Sequence, residues 1–412
     1  MTESSREFEI VLWGATGFTG QLAAEYLLRQ HGADGDLRWA IGGRNATKLE
    51  RVRDALARET GVDCASLPIL VGDSDDAEVL QAIARRTQVV CTTVGPYAKY
   101  GAKLVAACAE AGTDYCDLTG EVHWMARMIE AHGDAASASG ARIVFTAGFD
   151  CIPSDLGVYF LQREAIERHG APASRVSLRV KDFSGGASGG TIASMLTMLE
   201  EAAADPAILR VMNEPYSLNP KDQQTGPDAA ERFTPHFDAD FAEWVAPFFM
   251  AGINTKVVRR SNALLEYRYG RDFRYDEAML MGAGPAGLAK ASATSAGIAG
   301  TMGVMAIGPL RRAISGRLPQ PGEGPSPAQR ERGFYELRLR GEGPDGRVLN
   351  AHVHGDRDPG YGSTAKMLAE SALCLARDAL DAPGGMHTPA SAMGDALLAR
   401  MPSAGVTIEL VD

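Results

Sequence analysis

The apolar run Ile10-Val11-Leu12-Trp13 empties directly into Gly14-Ala15-Thr16-Gly17-Phe18-Thr19-Gly20, and a helical pattern continues through Leu28. Strand, glycine-rich turn and helix in that order make a phosphate-binding unit. The glycines permit a tight turn and close backbone approach, and the free N–H groups at the helix start face the anion. The spacing G-x-x-G-x-x-G is a variant of the G-x-G-x-x-G fingerprint, and a strand before with a helix after is the context that motif requires. Gly14, Ala15, Thr16, Gly17, Phe18, Thr19 and Gly20 are therefore the candidate dinucleotide cradle.

The next strand-like run, 37–42, ends in Gly43-Arg44-Asn45. A site that prefers NAD places Asp or Glu about 20 residues past the glycines to bind the ribose 2′-OH. Here Arg44 stands at that point, with Lys48 one helical turn later, and a guanidinium fork plus an ammonium suits a 2′-phosphate. NADP is the expected cofactor.

Strand patterns at 8–13, 37–42, 67–71, 88–92, 114–117 and 142–146 alternate with helical ones, which predicts an α/β fold of Rossmann type with a doubly wound parallel sheet. Ligands of such sheets sit beyond the carboxyl ends of the strands, so the loops there carry the remaining candidates. Asp73 follows the third strand and could reach the adenine. Thr93, Val94 and Gly95 follow the fourth and could line the nicotinamide. Asp117-Leu118-Thr119-Gly120-Glu121 follows the fifth, and Gly148 to Asp155 follows the sixth and opens a new helix.

Past residue 150 the pattern changes. A strand is expected at 175–183, then a second glycine loop at 184–191 that could hold an anion or be a plain turn. The stretch 205–245 reads as a long excursion, with strands at 256–260, 264–269, 334–340 and 348–354. These imply an inserted, antiparallel α+β substrate domain. A Pro/Gly-rich loop spans Pro319 to Pro327, helices are expected at 361–380 and 389–401, and a closing strand at 406–410. The expected division is a Rossmann domain over 1–150, a substrate domain over 151–357 and a C-terminal return to the first domain over 358–412. Met279 to Leu310 is unusual: it is rich in Gly and Ala, carries Met, Ile and Leu, and ends in Arg311-Arg312. Its glycines weaken a helix, and it suits an interfacial segment or a cover over a greasy substrate better than a membrane span, with an ordinary mobile or buried core segment as the alternative.

The chain has 412 residues and a net charge of −11, which argues against nucleic-acid binding. Six cysteines without framework spacing read as reduced thiols, and the polar N-terminus lacks a signal-peptide pattern. A cytoplasmic protein is expected, with peripheral contact at the inner face of the plasma membrane through 279–310. His352 and His354 share a strand face without a third ligand nearby, so no metal is expected.

With these motifs placed, the chain resembles the saccharopine dehydrogenase-like oxidoreductases, and within them the actinobacterial trans-acting enoyl reductases of polyketide-lipid biosynthesis. The resemblance rests on GATGFTG at 14–20, GGR at 42–44, TTVGPYAKYG at 92–101, DLTGE at 117–121 and GFDCIPSD at 148–155. It continues through FSGGASGGTIASM at 183–195, NTKVVRRSNAL at 254–264, DPGYGSTAKML at 358–368 and TPASAMGDALL at 388–398. Cys151 stands where many relatives have serine. The resemblance implies NADPH-dependent reduction of an α,β-unsaturated acyl or polyketide chain. The partners expected are that lipid substrate, a carrier protein holding it, a lipid surface and a second copy of the chain as a homodimer.

Such a reduction needs a hydride at the β carbon, support for the enolate oxygen and a proton for the α carbon. Tyr97 and Lys99, just past the nicotinamide loop, are the best-placed donors by sequence. Asp150 is a third if burial raises its pKa, though capping the following helix competes with that role. Tyr115 and Cys116 read as core strand residues, and His123 as solvated or structural. Arg259, Arg260, Arg311 and Arg312 are candidates for docking an acidic carrier protein. Two alternatives stay open: an imine or semialdehyde reductase of the saccharopine type, in which Arg259 and Arg260 would meet carboxylates, and a non-catalytic NADP-bound sensor or lipid-surface protein.

Overall fold

The computed structural model describes residues 6–185, 189–307 and 323–411. Arg311, Arg312, residues 319–322 of the Pro319–Pro327 loop and the centre of the second glycine loop lie outside those residues.

The first half alternates as its sequence pattern implies. The elements run β1 (Phe8–Trp13), α1 (Phe18–His31), β2 (Trp39–Gly43), α2 (Ala46–Thr60), β3 (Ile69–Val71), α3 (Ala77–Arg85) and β4 (Thr87–Thr92). They continue through α4 (Tyr97–Tyr100), α5 (Ala102–Ala111), β5 (Asp114–Asp117), α6 (Val122–Ser139) and β6 (Arg142–Val144). The central strands β1, β2, β4 and β5 are buried on both faces, as a sheet covered by helices on each side demands, while the edge strand β3 is partly exposed. The strands pair in parallel in the order β6-β5-β4-β1-β2-β3, with a later strand, Gly385–His387, beyond β6. The order reverses at β1, so β1 and β4 flank the crevice where an open α/β sheet binds its ligand.

The second half is built from α7 (Ile152–His169), β7 (Arg175–Ser184), α8 (Gly189–Ala204), α9 (Pro206–Asn213), β8 (His236–Asp238) and β9 (Glu243–Pro247). After these come α10 (Ala251–Leu264), β10 (Arg274–Gly282), α11 (Gly284–Ala306), α12 (Pro327–Arg332), β11 (Phe334–Glu342) and β12 (Val348–Gly355). Its sheet has the order β14-β12-β11-β7-β10-β9-β8. Most neighbours are antiparallel as expected, but β7 and β10 run parallel, so the sheet is mixed. The chain closes with α13 (Thr364–Arg377), β13 (Gly385–His387), α14 (Pro389–Arg400) and β14 (Val406–Val411). The C-terminal segment thus serves both sheets: β13 extends the first and β14 caps the second.

Three expectations change. The strands expected at 256–260 and 264–269 are instead α10 and a turn in which Glu266 and Tyr267 take positive φ. Val257-Val258 gives a β-like local pattern, but Ile253, Asn254, Val257, Val258 and Ser261 recur at helical spacing and are buried. The excursion at 205–245 holds α9, β8 and most of β9. The Gly/Ala-rich segment forms one 23-residue helix, α11, despite its glycines. Gly287, Ala291 and Ser295, four residues apart, form its buried face, and a methyl at Gly287 would stand 1.9 Å from the Gly282 carbonyl oxygen. Small residues on that stripe let the helix lie close to β9 and β10. Among the described residues no helix is long and apolar enough to cross a membrane.

Candidate active site

At the end of β1, Gly14 has φ +95°, and a methyl there would stand 2.7 Å from Val94 Cγ2 and 2.8 Å from Thr93 Oγ1. Only glycine allows the turn and lets the β4 loop come this close. Thr93 reinforces the contact, its hydroxyl donating to the Gly14 carbonyl at 3.1 Å and its N–H to the Trp13 carbonyl at 3.0 Å. A methyl at Gly20 would stand 2.3 Å from the Gly14 oxygen, so this third glycine brings α1 against the turn. Gly17 is the N-cap of α1, no side chain caps the helix, and its first turn has no acidic residue. The N–H groups at Phe18 and Thr19 thus open a helix start without a side-chain anion, which fits a pyrophosphate.

Asn45 caps α2 by accepting the Lys48 N–H at 2.9 Å. That cap sets Arg44 just outside the helix and Lys48 in its first turn. Both are exposed, and among the described residues neither side chain has an ion-pair or hydrogen-bond partner. Two unpaired cations at the end of β2 fit the 2′-phosphate of NADP. Asp73 is exposed beyond β3, its carboxylate accepting the Asp75 N–H at 3.0 Å, while the neighbouring Ser74 hydroxyl accepts from Trp13 Nε1 at 3.3 Å. This ties the third loop to the end of β1, where the glycine-rich turn begins.

The β4 loop runs through Thr93, Val94 and Gly95 into α4. Ser194 of α8 reaches it from the other half, its Oγ 3.4 Å from where a Cβ of Gly95 would stand. Glu201, two turns further along α8, sits 2.8 Å from His123 Nε2 and 3.1 Å from Arg127 Nη2. The helix α8 is thereby strapped over α4 and α6. His123 is not solvated as one sequence reading allows: it is buried, its Nδ1 has no partner among the described residues, and burial lowers its pKa against the pull of Glu201.

The structure separates the three proton-donor candidates. Tyr97 is buried in the core with its ring against Trp124 at 5.5 Å. Its hydroxyl donates to the Thr92 carbonyl at 3.2 Å and accepts the Leu118 N–H at 3.4 Å. Burial, with the Asp117 charge nearby, pushes its pKa well above the usual tyrosine range. The sequence offers this tyrosine as a proton donor; in the fold its hydroxyl is bonded inside the core, where it ties the β4 and β5 loops together. Lys99 is exposed on α4 with no partner among the described residues. Asp150 is partly exposed at the end of the β6 loop, and burial alone pushes its carboxyl up to about 6. It does not cap α7, whose N-cap is Cys151 without any side-chain bond. Its Oδ2 lies 3.7 Å from the Cβ position of Gly120, and no described residue pairs with its carboxylate.

Several supporting roles are not legible in the sequence. Asp117 accepts the N–H groups of Thr119 and Thr146, each at 3.1 Å, and the Tyr115 hydroxyl at 2.7 Å, fixing the ends of β5 and β6; burial pushes its carboxyl up to about 7. Thr364 accepts the Phe149 N–H at 3.0 Å, positioning the loop that carries Asp150. Tyr115 and Cys116 are core residues, as expected.

Arg259 and Arg260 change role. They lie on a helix and are 3% and 4% exposed. Arg259 binds Asp228 at 2.7 Å and the Tyr275 carbonyl at 3.0 Å, and Arg260 binds the carbonyls of Leu218 and Met386. With their donors spent inside the fold, neither can dock a carrier protein or clamp a dicarboxylate substrate. Among the described residues no group of three or more His, Cys, Asp or Glu could hold a metal ion.

Residues 10–144 match the family described as saccharopine dehydrogenase NADP binding domain, which agrees with the cradle and with Arg44 and Lys48 in making NADP the cofactor. A Mycobacterium tuberculosis protein provisionally named trans-acting enoyl reductase is 46% identical over 422 aligned residues, covering 99% of each chain. The trans-acting enoyl reductase of Mycobacterium ulcerans is 41% identical, again over 99% of each. Among solved structures, apo saccharopine dehydrogenase (L-Glu forming) from Saccharomyces cerevisiae superposes with a TM-score of 0.52 at 12% identity, covering 98% of this chain and all of that one, a likeness of fold.

Proposed function

The chain belongs to the trans-acting enoyl reductase family, and on that premise we propose that it reduces the double bond of an α,β-unsaturated acyl or polyketide chain presented as a thioester on a carrier protein. The observation that carries this reading is that an uncapped dinucleotide cradle after β1 and the carboxyl of Asp150 after β6, unpaired among the described residues, stand at the same carboxyl edge of one sheet. When bound, NADPH supplies the hydride for the β carbon. The turn at Gly14–Gly20 holds the pyrophosphate, Arg44 and Lys48 hold the 2′-phosphate, and Asp73 borders the adenine side. Thr93, Val94 and Gly95 shape the wall at the nicotinamide. Asp150, protonated below about pH 6, gives its proton to the α carbon. Lys99, exposed on α4, supplies a cation for the developing enolate oxygen. One proton and one hydride are added, and the carbon–carbon double bond becomes single.

The outer face of α11 suits delivery of a lipid. Lys290 is its single charged residue, and Leu288, Met302 and Ile307 are exposed on or just beyond it. Such a face lies against a lipid surface without crossing it. Liposome flotation of the protein, and of Leu288→Glu/Met302→Glu, reads this contact. Flotation lost in the variant supports it, and a monomer–dimer shift without flotation assigns the face to a homodimer instead.

The enzymatic reading is tested by NADPH consumption with a carrier-bound enoyl thioester beside an imine and a semialdehyde. Oxidation with the thioester alone supports it. Oxidation only with the imine or semialdehyde gives the saccharopine-type reaction, and no oxidation with any of the three leaves a sensor.

A further inference from the structure

The cofactor cradle has a contact from the other half of the molecule. Phe18 is the first residue of α1, and three groups close around its ring. Tyr361, in the π-turn Pro359–Ser363, meets it edge-on at 5.2 Å between centroids. The backbone at Gly324 lies against its rim, where a methyl would stand 2.5 Å from Cε1. The guanidinium of Arg330, on α12, lies over the ring at 5.4 Å.

Charge is what makes Arg330 stand out. The start of α1 carries the partial positive charge of a helix N-terminus and has no acidic residue in its first turn. Placing a cation beside it is unfavourable unless an anion binds between or against them. No described carboxylate forms an ion pair with Arg330; its Nη1 donates to the Pro325 carbonyl at 2.8 Å, which holds the side chain in place. Asp358, close enough to feel its charge, is occupied in accepting the N–H groups of Tyr361 and Gly362 at 3.0 and 2.9 Å. The Asp358 backbone N–H in turn donates to the Arg330 carbonyl at 3.1 Å. The arginine is thus pre-positioned, half-buried and electrostatically unspent.

We propose that Arg330 is a cofactor-binding residue, contributed across the two halves, that pairs with the pyrophosphate of NADP held at the start of α1. An arginine fork binds a phosphate bidentately, and its flat face retains the Phe18 contact while it does so. Cofactor binding then ties α12 and the π-turn to the first sheet. This inference rests on the NADP assignment and is independent of the acyl substrate.

The test is equilibrium binding without any acyl substrate, using Arg330→Gln, which keeps part of the side-chain stem and removes the charge. Two probes are titrated: NADPH, and adenosine 2′-monophosphate, which has the 2′-phosphate but no phosphate at the 5′ position. The expected result is an NADPH Kd raised at least about tenfold with adenosine 2′-monophosphate affinity unchanged, whereas Arg44→Ala weakens both. Wild-type-like NADPH affinity in Arg330→Gln overturns the proposal, and so does an equal loss for both probes. A wild-type protein that binds no NADPH overturns the cofactor reading and the clamp with it.

Discussion

The carboxylate of Glu121, in the loop after β5, accepts the backbone N–H of Tyr97 at 2.9 Å and of Ala98 at 2.7 Å. One buried side chain therefore caps α4 and fixes the loop that carries Thr93, Val94 and Gly95. Loss of a helix cap costs about 0.5–2 kcal/mol, and removal of a buried acceptor leaves two donors unsatisfied. Glu121→Ala should lower the unfolding free energy by about 2 kcal/mol and raise the NADPH Kd. Chemical denaturation and a fluorescence titration measure the two effects, and stability unchanged in the variant would show that this cap is dispensable.

Cofactor choice should depend on Arg44. NADPH is expected to bind at least about tenfold tighter than NADH, a difference of about 1.4 kcal/mol, with most of that preference erased in Arg44→Ala. Comparative titrations decide it, and equal affinities in the wild-type protein would remove Arg44 from recognition of the 2′-phosphate.

Tyr97 illustrates how far sequence reasoning reaches. Its position after Gly95-Pro96 suggests a general acid whose loss would slow turnover about 10²–10⁴-fold. Its buried hydroxyl, bonded to the Thr92 carbonyl, predicts instead that Tyr97→Phe keeps near wild-type turnover and loses about 1 kcal/mol of stability. Steady-state assays beside thermal melts separate these outcomes, and a hundredfold fall in turnover at intact stability would restore the tyrosine as the acid.

Asp150 should govern the pH profile. Burial raises its folded carboxyl to about 6, so the proton-donating form is lost as pH rises through that value, and turnover should fall with it. Asp150→Asn should remove that limb and reduce turnover by about 10²–10⁴-fold. The linkage sign gives an independent readout. A carboxyl raised above its unfolded value of about 4 contributes stability that is complete below that pH and lost as pH rises through about 6. The variant lacks this loss, so its stability relative to wild type should increase between those limits and level off above them. An unchanged pH–rate limb in Asp150→Asn would assign the proton to Lys99 or to water.

Local chemistry explains which parts of the molecule are legible in its sequence. The turn at Gly14–Gly20 and the parallel strands are written in neighbouring residues: apolar runs, glycine punctuation and helical periods. Val257-Val258 gives a strand-like pattern over a few residues and so puts Arg259 and Arg260 on a strand, while the helix is decided by Asn254 and Ser261 packing on α7. The bonds from Asn254 to Ser154 and from Ser261 to Asp155 are about a hundred residues apart in the chain. His123 with Glu201 and Phe18 with Arg330 are likewise invisible locally, because each joins the two sheets. Asp150 was legible as an acid, but its lack of a capping bond is a property of the folded turn at Cys151.

The most direct test of the account follows the hydrogen itself. Carrier-bound enoyl thioester is incubated with the protein and NADPH deuterated at the transferable position, and the product is read by mass spectrometry with fragmentation. The account predicts a saturated acyl chain carrying deuterium at the β carbon and a solvent proton at the α carbon. Recovery of unreduced enoyl thioester, or deuterium found only when an imine or semialdehyde is supplied, would contradict it.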